Sequence, residues 1–273
     1  MSRSKKNQLA MQPFPNPAFL NLTIGTLPME LNVKLKPRST MKKLSLLSVL
    51  CILLCQISFA QKTEMRDAGS FSEVSISGGY YVIMKQGNST SVKLEGDEDD
   101  LEKIEVINES GKLIIRSKRH KKGRGWNDYK IGRVNIEIVY SQLKELISSG
   151  SSKIKVESTI KTNRLKYTGS GSGEIDMKID VENLSVYLTG SGDLNVDGKA
   201  KESSYTITGS GDIYASNMKT NTADAKITGS GSMKINVSER IEGRITGSGS
   251  IRYKGDPRQS VKITGSGSVK SMN

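Results

Sequence analysis

Three carboxylates recur at a fixed place in the sequence, each directly after a Gly-Ser-Gly motif. They are Glu174, Asp193 and Asp212, and they lie 19 residues apart. Carboxylate oxygens are ligands that Ca²⁺ prefers, and stacked strands would bring the three side chains to a spacing of about 4.8 Å. The column is therefore a candidate calcium site. The other interpretation is a structural surface, because serine replaces the acid in the last three copies of the motif.

A second candidate site is a basic run with interleaved aromatic residues, from Lys118 to Arg133. Cations beside aromatic rings bind sugars and polyanions, and for an exported protein we expect an acidic glycan or an envelope lipid rather than DNA. A long solvated hairpin loop would have the same composition. The candidate binding residues are Lys118, Arg119, Lys121, Lys122, Arg124, Trp126 and Tyr129.

Residues for nucleophilic catalysis are scarce. The only histidine, His120, lies among cations that disfavour its protonated form, and no adjacent carboxylate orients it. Carboxylate pairs across neighbouring coils could still cleave polysaccharides. A carbohydrate-active enzyme of the lyase or glycosidase type is thus the alternative function, and no cofactor is expected.

Residues 41–60 have the parts of a secretory signal peptide. Lys42 and Lys43 form a basic start, an apolar run follows from Leu44 to Ile57, and a small-x-small cleavage site ends at Ala60. Residues 1–40 are interpreted as a mis-called start or a non-structural leader. We expect export to the periplasm, the outer-membrane surface or the medium, with no transmembrane span in the mature chain.

Removal of residues 1–60 changes the composition that matters for function. Both cysteines lie in the signal peptide, so the mature chain has no disulfide and no thiolate metal ligand. The net charge falls from +13 to +6, with 33 lysines and arginines against 27 acids. Overall charge is therefore weak evidence for nucleic-acid binding, and none is predicted.

The elements that would position these residues are set by an internal repeat. A motif of the form Ser/Thr-Gly-Ser-Gly-x-aliphatic occurs seven times, first with Ser at its fourth place, at spacings of 21, 19, 19, 20, 18 and 18 residues. Strict apolar–polar alternation surrounds each copy and predicts strands. Equal spacing favours a parallel β-solenoid with coils of about 18–21 residues over a meander of hairpins. The copies begin at Ser149, Ser170, Thr189, Thr208, Thr228, Thr246 and Thr264.

The chain then divides into a repetitive and a non-repetitive β region. Residues 148–273 form the glycine-motif solenoid, and residues 61–147 are predicted to form its opening coils or its cap. Both glycines of each motif fall on the apolar side of the alternation, which predicts that the crowded interior leaves no room for a side chain there.

Several of these segments together resemble the DUF2807 family. They are the signal peptide at residues 41–60 and, within residues 69–270, Phe71-Ser-Glu-Val-Ser-Ile, the acidic stretch Gly96-Asp-Glu-Asp-Asp-Leu-Glu-Lys-Ile104, the strand Gly111-Lys-Leu-Ile-Ile115 and the serial Gly-Ser-Gly motif. The resemblance implies an all-β, right-handed parallel β-helix of the kind described as auto-transporter adhesin head domains in exported Bacteroidetes proteins. The family supplies no catalytic residues.

The sequence thus predicts an exported, non-enzymatic β-solenoid that serves as an adhesin-like or structural envelope module and binds acidic glycans. The expected partners are envelope glycans or another surface protein.

Overall fold

Alternation of apolar and polar side chains builds almost every element of the protein. In the strand that starts at Glu174, Ile175, Met177 and Ile179 are buried, whereas Asp176 and Lys178 are exposed. The computed structural model describes residues 61–122, 125–128 and 130–272, and all of them belong to one unit, Phe59–Asn273.

The N-terminal region contains nine strands and one short helix. These are β1 (Lys62–Arg66), β2 (Glu73–Gly78), β3 (Tyr81–Gln86), β4 (Ser91–Gly96), α1 (Glu98–Leu101), β5 (Ile104–Glu109), β6 (Lys112–Ser117), β7 (Arg119–Lys122), β8 (Gly125–Asp128) and β9 (Asn135–Tyr140).

The repetitive region contains ten strands, of which β13 to β16 have 16–18 residues each. They are β10 (Glu145–Gly150), β11 (Lys153–Val156), β12 (Ile160–Gly171), β13 (Glu174–Gly190), β14 (Asp193–Gly209), β15 (Asp212–Gly229), β16 (Ser232–Gly247), β17 (Ser250–Lys254), β18 (Arg258–Thr264) and β19 (Ser268–Ser271).

The repeat coils stack in parallel with the glycine motif in register. Gly190 pairs with Gly171 below it and Gly209 above it, and the same column continues through Gly229 to Gly247. The predicted β-solenoid is therefore confirmed, with about seven turns. Differences in coil length are absorbed by register shifts away from the motif, for example between Ala215 and Lys219, so the corners stay aligned.

The core consists of inward-facing columns along the stack. One such column is fully buried and changes its residue at every coil, so that different aliphatic shapes interlock. It runs through Ile175, Leu194, Ile213, Met233 and Ile251. Each coil buries only a few apolar side chains and depends on its neighbours for a continuous core.

The non-repetitive region supplies one coil and covers its outer end. Strands β2 and β3 flank a corner at Gly78, and they pair in parallel with β10 and β11, so that Gly78 lies in register with Gly150. On the other side β2 pairs with β6 and β3 with β9, again in parallel. Strands β1, β4 and β5 add antiparallel pairs at this end. We call β4, α1, β5, β6 and β9 together the cap.

The opposite end of the stack has no such cover among residues 130–272. Strand β18 pairs only with β16, and β19 pairs only with β17. Val261 and Ile263 in the last coil are each 40% exposed, whereas Ile245 below Ile263 is fully buried. The last coil therefore completes the core of the coil below it and leaves its own apolar side chains half-covered.

The glycine corners exclude side chains for a reason that differs in part from the sequence prediction. At Gly209 φ is +125°, and a Cβ atom would lie 2.4 Å from the carbonyl oxygen of Gly190 in the preceding coil. At Gly211 a Cβ atom would lie 2.5 Å from the carbonyl oxygen of Gly192. At these two positions the obstruction is the backbone of the preceding coil, whereas at Gly249 and Gly267 the nearest atom belongs to a core isoleucine, Ile227 at 2.6 Å and Ile245 at 2.5 Å, as the sequence predicted.

Candidate ligand-binding surfaces

The three motif carboxylates lie in one column on the outside of the stack. Glu174 pairs in register with Asp193, and Asp193 pairs with Asp212, so the predicted stacking is present. Glu174 forms an ion pair with Lys153 of the preceding coil, with 3.2 Å between Nζ and Oε2. The column therefore has a cation at its first end.

Asp212 is held by hydrogen bonds at the other end of the column. Its Oδ1 accepts from the backbone N–H of Ser232 at 2.9 Å and from the Ser232 hydroxyl at 2.8 Å. The Tyr214 hydroxyl donates to its Oδ2 at 3.1 Å. Serine in the later coils is therefore a partner for the last acid of the column.

Asp193, in the middle, has the least favourable environment of the three. Partial burial raises the pKa of its carboxyl, and the negative charges of Asp212 and Glu174 add to the increase, against a hydrogen bond from the Asp212 backbone that lowers it. Among the described residues, no group of three or more histidine, cysteine, aspartate or glutamate side chains is arranged to hold a metal ion. The described contacts of Glu174 and Asp212 are with Lys153, Ser232 and Tyr214, and calcium binding by this column stays a prediction.

The basic run forms a hairpin that stands apart from the solenoid sheet. Strands β7 and β8 pair only with each other, and Lys121 lies opposite Trp126 in the backbone register. The hairpin joins the cap through the backbone N–H of Lys118, which donates to the carbonyl of Lys103 at 2.7 Å. We call residues 118–129 the basic hairpin.

The structure locates only part of the predicted binding residues. Lys118 and Arg119 are exposed, and the backbones of Lys121, Lys122 and Trp126 belong to the two strands. The remaining two predicted residues, Arg124 and Tyr129, lie outside the described residues. The hairpin predicted as the alternative is present, and its ligand binding stays a prediction.

A shallow depression of about 940 Å³ lies on another side of the first repeat coils. Its charged residues come from adjacent coils, and the carboxylate of Asp180 is 3.3 Å from Nζ of Lys199. The lining residues are Gln142, Lys144, Lys161, Thr162, Asn163, Arg164, Asp180, Val181 and Glu182.

Sequence analysis missed two cationic columns that flank the glycine corner in the last coils. The first contains Lys226, Arg244 and Lys262, which pair in register. The second contains Lys234, Arg252 and Lys270, which also pair in register. The signal that could have found them is a nine-residue pattern, Lys/Arg-Ile-Thr-Gly-Ser-Gly-Ser-x-Lys/Arg, which occurs three times from residue 226 to 270.

Among the described residues, no helix is long and apolar enough to cross a membrane. A comparison with curated proteins finds no match.

Several solved structures have the same fold. A "putative adhesin" from Bacteroides fragilis NCTC 9343 is 25% identical, with a TM-score of 0.72, over 79% of this chain and 98% of that protein. A "putative lipid binding protein" from Parabacteroides distasonis ATCC 8503 is 28% identical, with a TM-score of 0.68, over 78% of this chain and 97% of that protein.

A third structure, a "putative adhesin" from Parabacteroides merdae ATCC 43184, is 23% identical with a TM-score of 0.60, over 78% of this chain and 96% of that protein, and shows the fold alone. The sequence profile described as "Putative auto-transporter adhesin, head GIN domain" matches residues 70–257, which include the opening coil, the cap and most of the glycine corners. The chain belongs to this family, DUF2807.

Proposed function

We propose that the protein is an exported, non-enzymatic adhesive module that attaches to acidic glycans. The observation that carries this proposal is the in-register stack, which repeats outward side chains once per coil, about 4.8 Å apart, as with Thr208, Thr228 and Thr246. A linear polymer repeats its own groups, so it can contact such a surface at several points. Several weak contacts along one chain give a strong attachment, and the family description supports an adhesive role.

The basic hairpin is the first proposed contact for an acidic glycan. Its cations would attract carboxylate or sulfate groups, and Trp126 would add an aromatic ring for a sugar. Affinity through these cations should fall steeply with salt, because the Debye length shrinks from about 10 Å at 0.1 M to about 3 Å at 1 M. Replacement of Lys121, Lys122 and Arg124 by Ser should weaken this binding and leave the melting temperature nearly unchanged, because surface charges contribute little to stability.

A carbohydrate-active enzyme is the second candidate, favoured by the depression that collects cations and carboxylates from adjacent coils. Glycoside cleavage needs one carboxyl group whose environment raises its pKa and one that stays ionised. Glu182 is exposed, and Asp180 is half-buried and paired with Lys199. Neither carboxyl has the apolar surroundings of a general acid, and this supports the non-enzymatic proposal.

One experiment tests binding and catalysis together. The protein is titrated with polygalacturonate, chondroitin sulfate and uncharged dextran at low and high salt, and the polymer length is measured after prolonged incubation. We expect salt-sensitive binding to the two acidic polymers, little binding to dextran, and no shortening of any polymer. Depolymerisation that is lost in Asp180→Asn would reverse the choice between adhesin and enzyme, and equal binding to dextran would remove the acidic-glycan proposal.

Export is tested separately in the native host. We expect the mature protein outside the cytoplasm with Gln61 at its N-terminus, since the cleavage site ends at Ala60. Peptides from residues 1–40 in the exported product, detected by mass spectrometry, would contradict this assignment.

A further inference from the structure

The last three coils carry a repeated arrangement of cations around the glycine corner. In each coil one cation precedes the corner and one follows it, and between them lie hydroxyl groups from the Thr-Gly-Ser-Gly-Ser segment. Register pairing places the three cations of each column on neighbouring strands, about 4.8 Å apart. We call these six residues the basic corner: Lys226, Arg244, Lys262, Lys234, Arg252 and Lys270.

Five of the six side chains of the basic corner are exposed, and Lys234 is half-buried. The Nζ atom of Lys234 lies 5.2 Å from the ring centroid of Tyr214. The hydroxyl-bearing Thr246 and Ser248 between the columns are also exposed. The surface is thus accessible along its full length.

Three cations of the earlier coils form ion pairs with an acid of an adjacent coil. Lys153 pairs with Glu174 at 3.2 Å, and Lys166 pairs with Glu145 at 2.8 Å. A third pair, between Lys199 and Asp180, follows the same rule at 3.3 Å. Cross-coil ion pairs therefore occur in several of the earlier coils.

The basic corner departs from that arrangement. Within the described part of the chain, each of its six positions has a cation, a threonine or a tyrosine as its stacked neighbour, and never an acid. The nearest acids along the strands are Asp224 and Glu242, and the Glu242 carboxylate is bonded to Arg240 at 2.6 Å. Stacked like charges repel one another. Among the described residues, no acid in an adjacent coil is stacked on these six cations to offset that repulsion.

The same coils account for the net charge of the whole mature chain. Residues 61–225 contain 24 cations and 24 acids, whereas residues 226–273 contain nine cations and three acids, a net charge of +6. The positive charge is therefore concentrated at one end of the stack, where it would steer an anionic partner.

We propose that the basic corner is the binding site for a linear acidic polysaccharide, which lies along the solenoid axis with successive anionic groups against successive coils. The inference rests on the proposed adhesive function and assigns it to these coils in addition to the basic hairpin. The cations neutralise the anionic groups, and the threonine and serine hydroxyls between the columns hydrogen-bond to sugar hydroxyls. The repeat of the coil matches a partner that itself repeats.

Other polyanions fit this surface less well. Proteins that bind single-stranded nucleic acid stack the bases on exposed aromatic rings. The aromatic residues next to the basic corner are Tyr253, which is 6% exposed, and Tyr214, which is half-buried with Lys234 Nζ 5.2 Å from its ring centroid. Membrane surfaces favour an apolar face beside the cations. Among the described residues, the exposed large apolar side chains beside the columns are Val261 and Ile263 of the last coil, and threonine and serine lie between the columns. The chemistry therefore favours a polysaccharide.

The test compares two double variants that remove the same charge from the protein. Arg244→Ser/Arg252→Ser removes the middle cation of each column, and Lys178→Ser/Lys201→Ser removes two exposed cations elsewhere on the stack. Binding to polygalacturonate is measured at about 0.05 M salt, where contacts between the protein's cations and the polymer's carboxylates are only weakly screened. We expect about tenfold weaker binding for the corner variant, and less than a twofold change for the control.

The thermal shift gives a second readout that does not depend on a binding assay. Polygalacturonate should raise the melting temperature of the wild-type protein by mass action, and it should raise that of the corner variant less. Tighter binding of oligo(dT) or of phosphatidylglycerol vesicles than of polygalacturonate, at equal charge concentration, would overturn the choice of a polysaccharide.

The hairpin triple variant separates this inference from the proposed function. If it loses polygalacturonate binding while the corner variant binds like wild type, the basic corner is not the site and the adhesive function stands. If wild-type protein binds acidic polymers no better than dextran, the proposed function fails and the inference fails with it.

Discussion

At the scale of single residues, the glycine corner is a device for close approach between coils. The first glycine of each motif has a positive φ, and the second does not, yet both face a carbonyl oxygen of the preceding coil at less than 3 Å from an ideal Cβ. In return, the serine between them donates its backbone N–H to that coil, as Ser210 does to Gly190 at 2.8 Å. The corner thus continues the hydrogen-bond ladder without interruption.

We expect Gly209→Ala and Gly211→Ala to destabilise the protein by at least about 2 kcal/mol each, because the backbone of the preceding coil cannot move away without straining the stack. The matched control is Gly243→Ala, where the nearest atom to a new Cβ is 3.5 Å away and φ is ordinary. This control should be neutral or stabilise by about 0.5 kcal/mol. Urea unfolding measures all three, and equal costs at Gly211 and Gly243 would contradict the corner mechanism.

The acidic column gives a pH-dependent prediction at the same scale. The pKa of Asp193 is raised in the folded state, so the ionised carboxylate destabilises the fold at a pH above that pKa. This destabilisation is absent at a pH where the carboxyl is protonated in both the folded and the unfolded state. Asp193→Asn should therefore stabilise the protein by about 0.5 kcal/mol at pH 7, and the gain should vanish below about pH 4. Asp197→Asn, which removes a charge in register with Lys178, should not stabilise it.

At the scale of elements, one carboxylate joins α1 to the segment before β9, in addition to the strand pairing that builds this end of the stack. Asp100 in α1 accepts from Lys103 at 2.9 Å and from the backbone N–H of Gly132 at 2.8 Å, which joins α1 to the segment before β9. The hydrogen bond with Lys103 is the main cause that lowers the pKa of the Asp100 carboxyl. Burial raises this pKa, and the hydrogen bond from the Gly132 backbone lowers it further.

A lowered pKa stabilises the fold above the unfolded-state pKa, and the contribution is lost as the pH falls through the folded-state value. Asp100→Asn should therefore cost about 1–2 kcal/mol at pH 7, and the difference from wild type should shrink below about pH 4. Asp99→Asn on the exposed side of α1 is the control and should change little. A pH-independent cost at Asp100 would show that packing, and not the charge, holds the cap.

The sequence predicted the repeat elements well because their signal is local. Alternation predicts the strands, and the constant period predicts the register that pairs Thr208 with Thr228. The opening coil was harder to recognise, since Gly78 is separated from its register partner Gly150 by the whole cap and lacks the full motif. The basic corner is harder to predict from the sequence. The two cations of each coil are eight residues apart along the chain, and the two columns form only when the coils stack.

At the scale of the whole molecule, the stack turns a one-dimensional repeat into a binding surface. One end is covered by the cap, and the other end, with the last coil half-exposed, carries the entire excess of positive charge of residues 61–273. Each cation contributes little alone, because exposed ion pairs are worth less than about 1 kcal/mol. Affinity must therefore come from the number of coils that one ligand contacts.

The most direct test of this account is the dependence of affinity on ligand length. Oligogalacturonates of increasing length are titrated into the protein at low salt, and the recovered oligomers are sized. The account predicts that affinity rises with length until an oligomer spans the three coils of the basic corner, about 10 Å from first to last, and then levels off, with every oligomer recovered intact. A monosaccharide that binds as tightly as the longest oligomer, or recovered oligomers that are shortened, would contradict it.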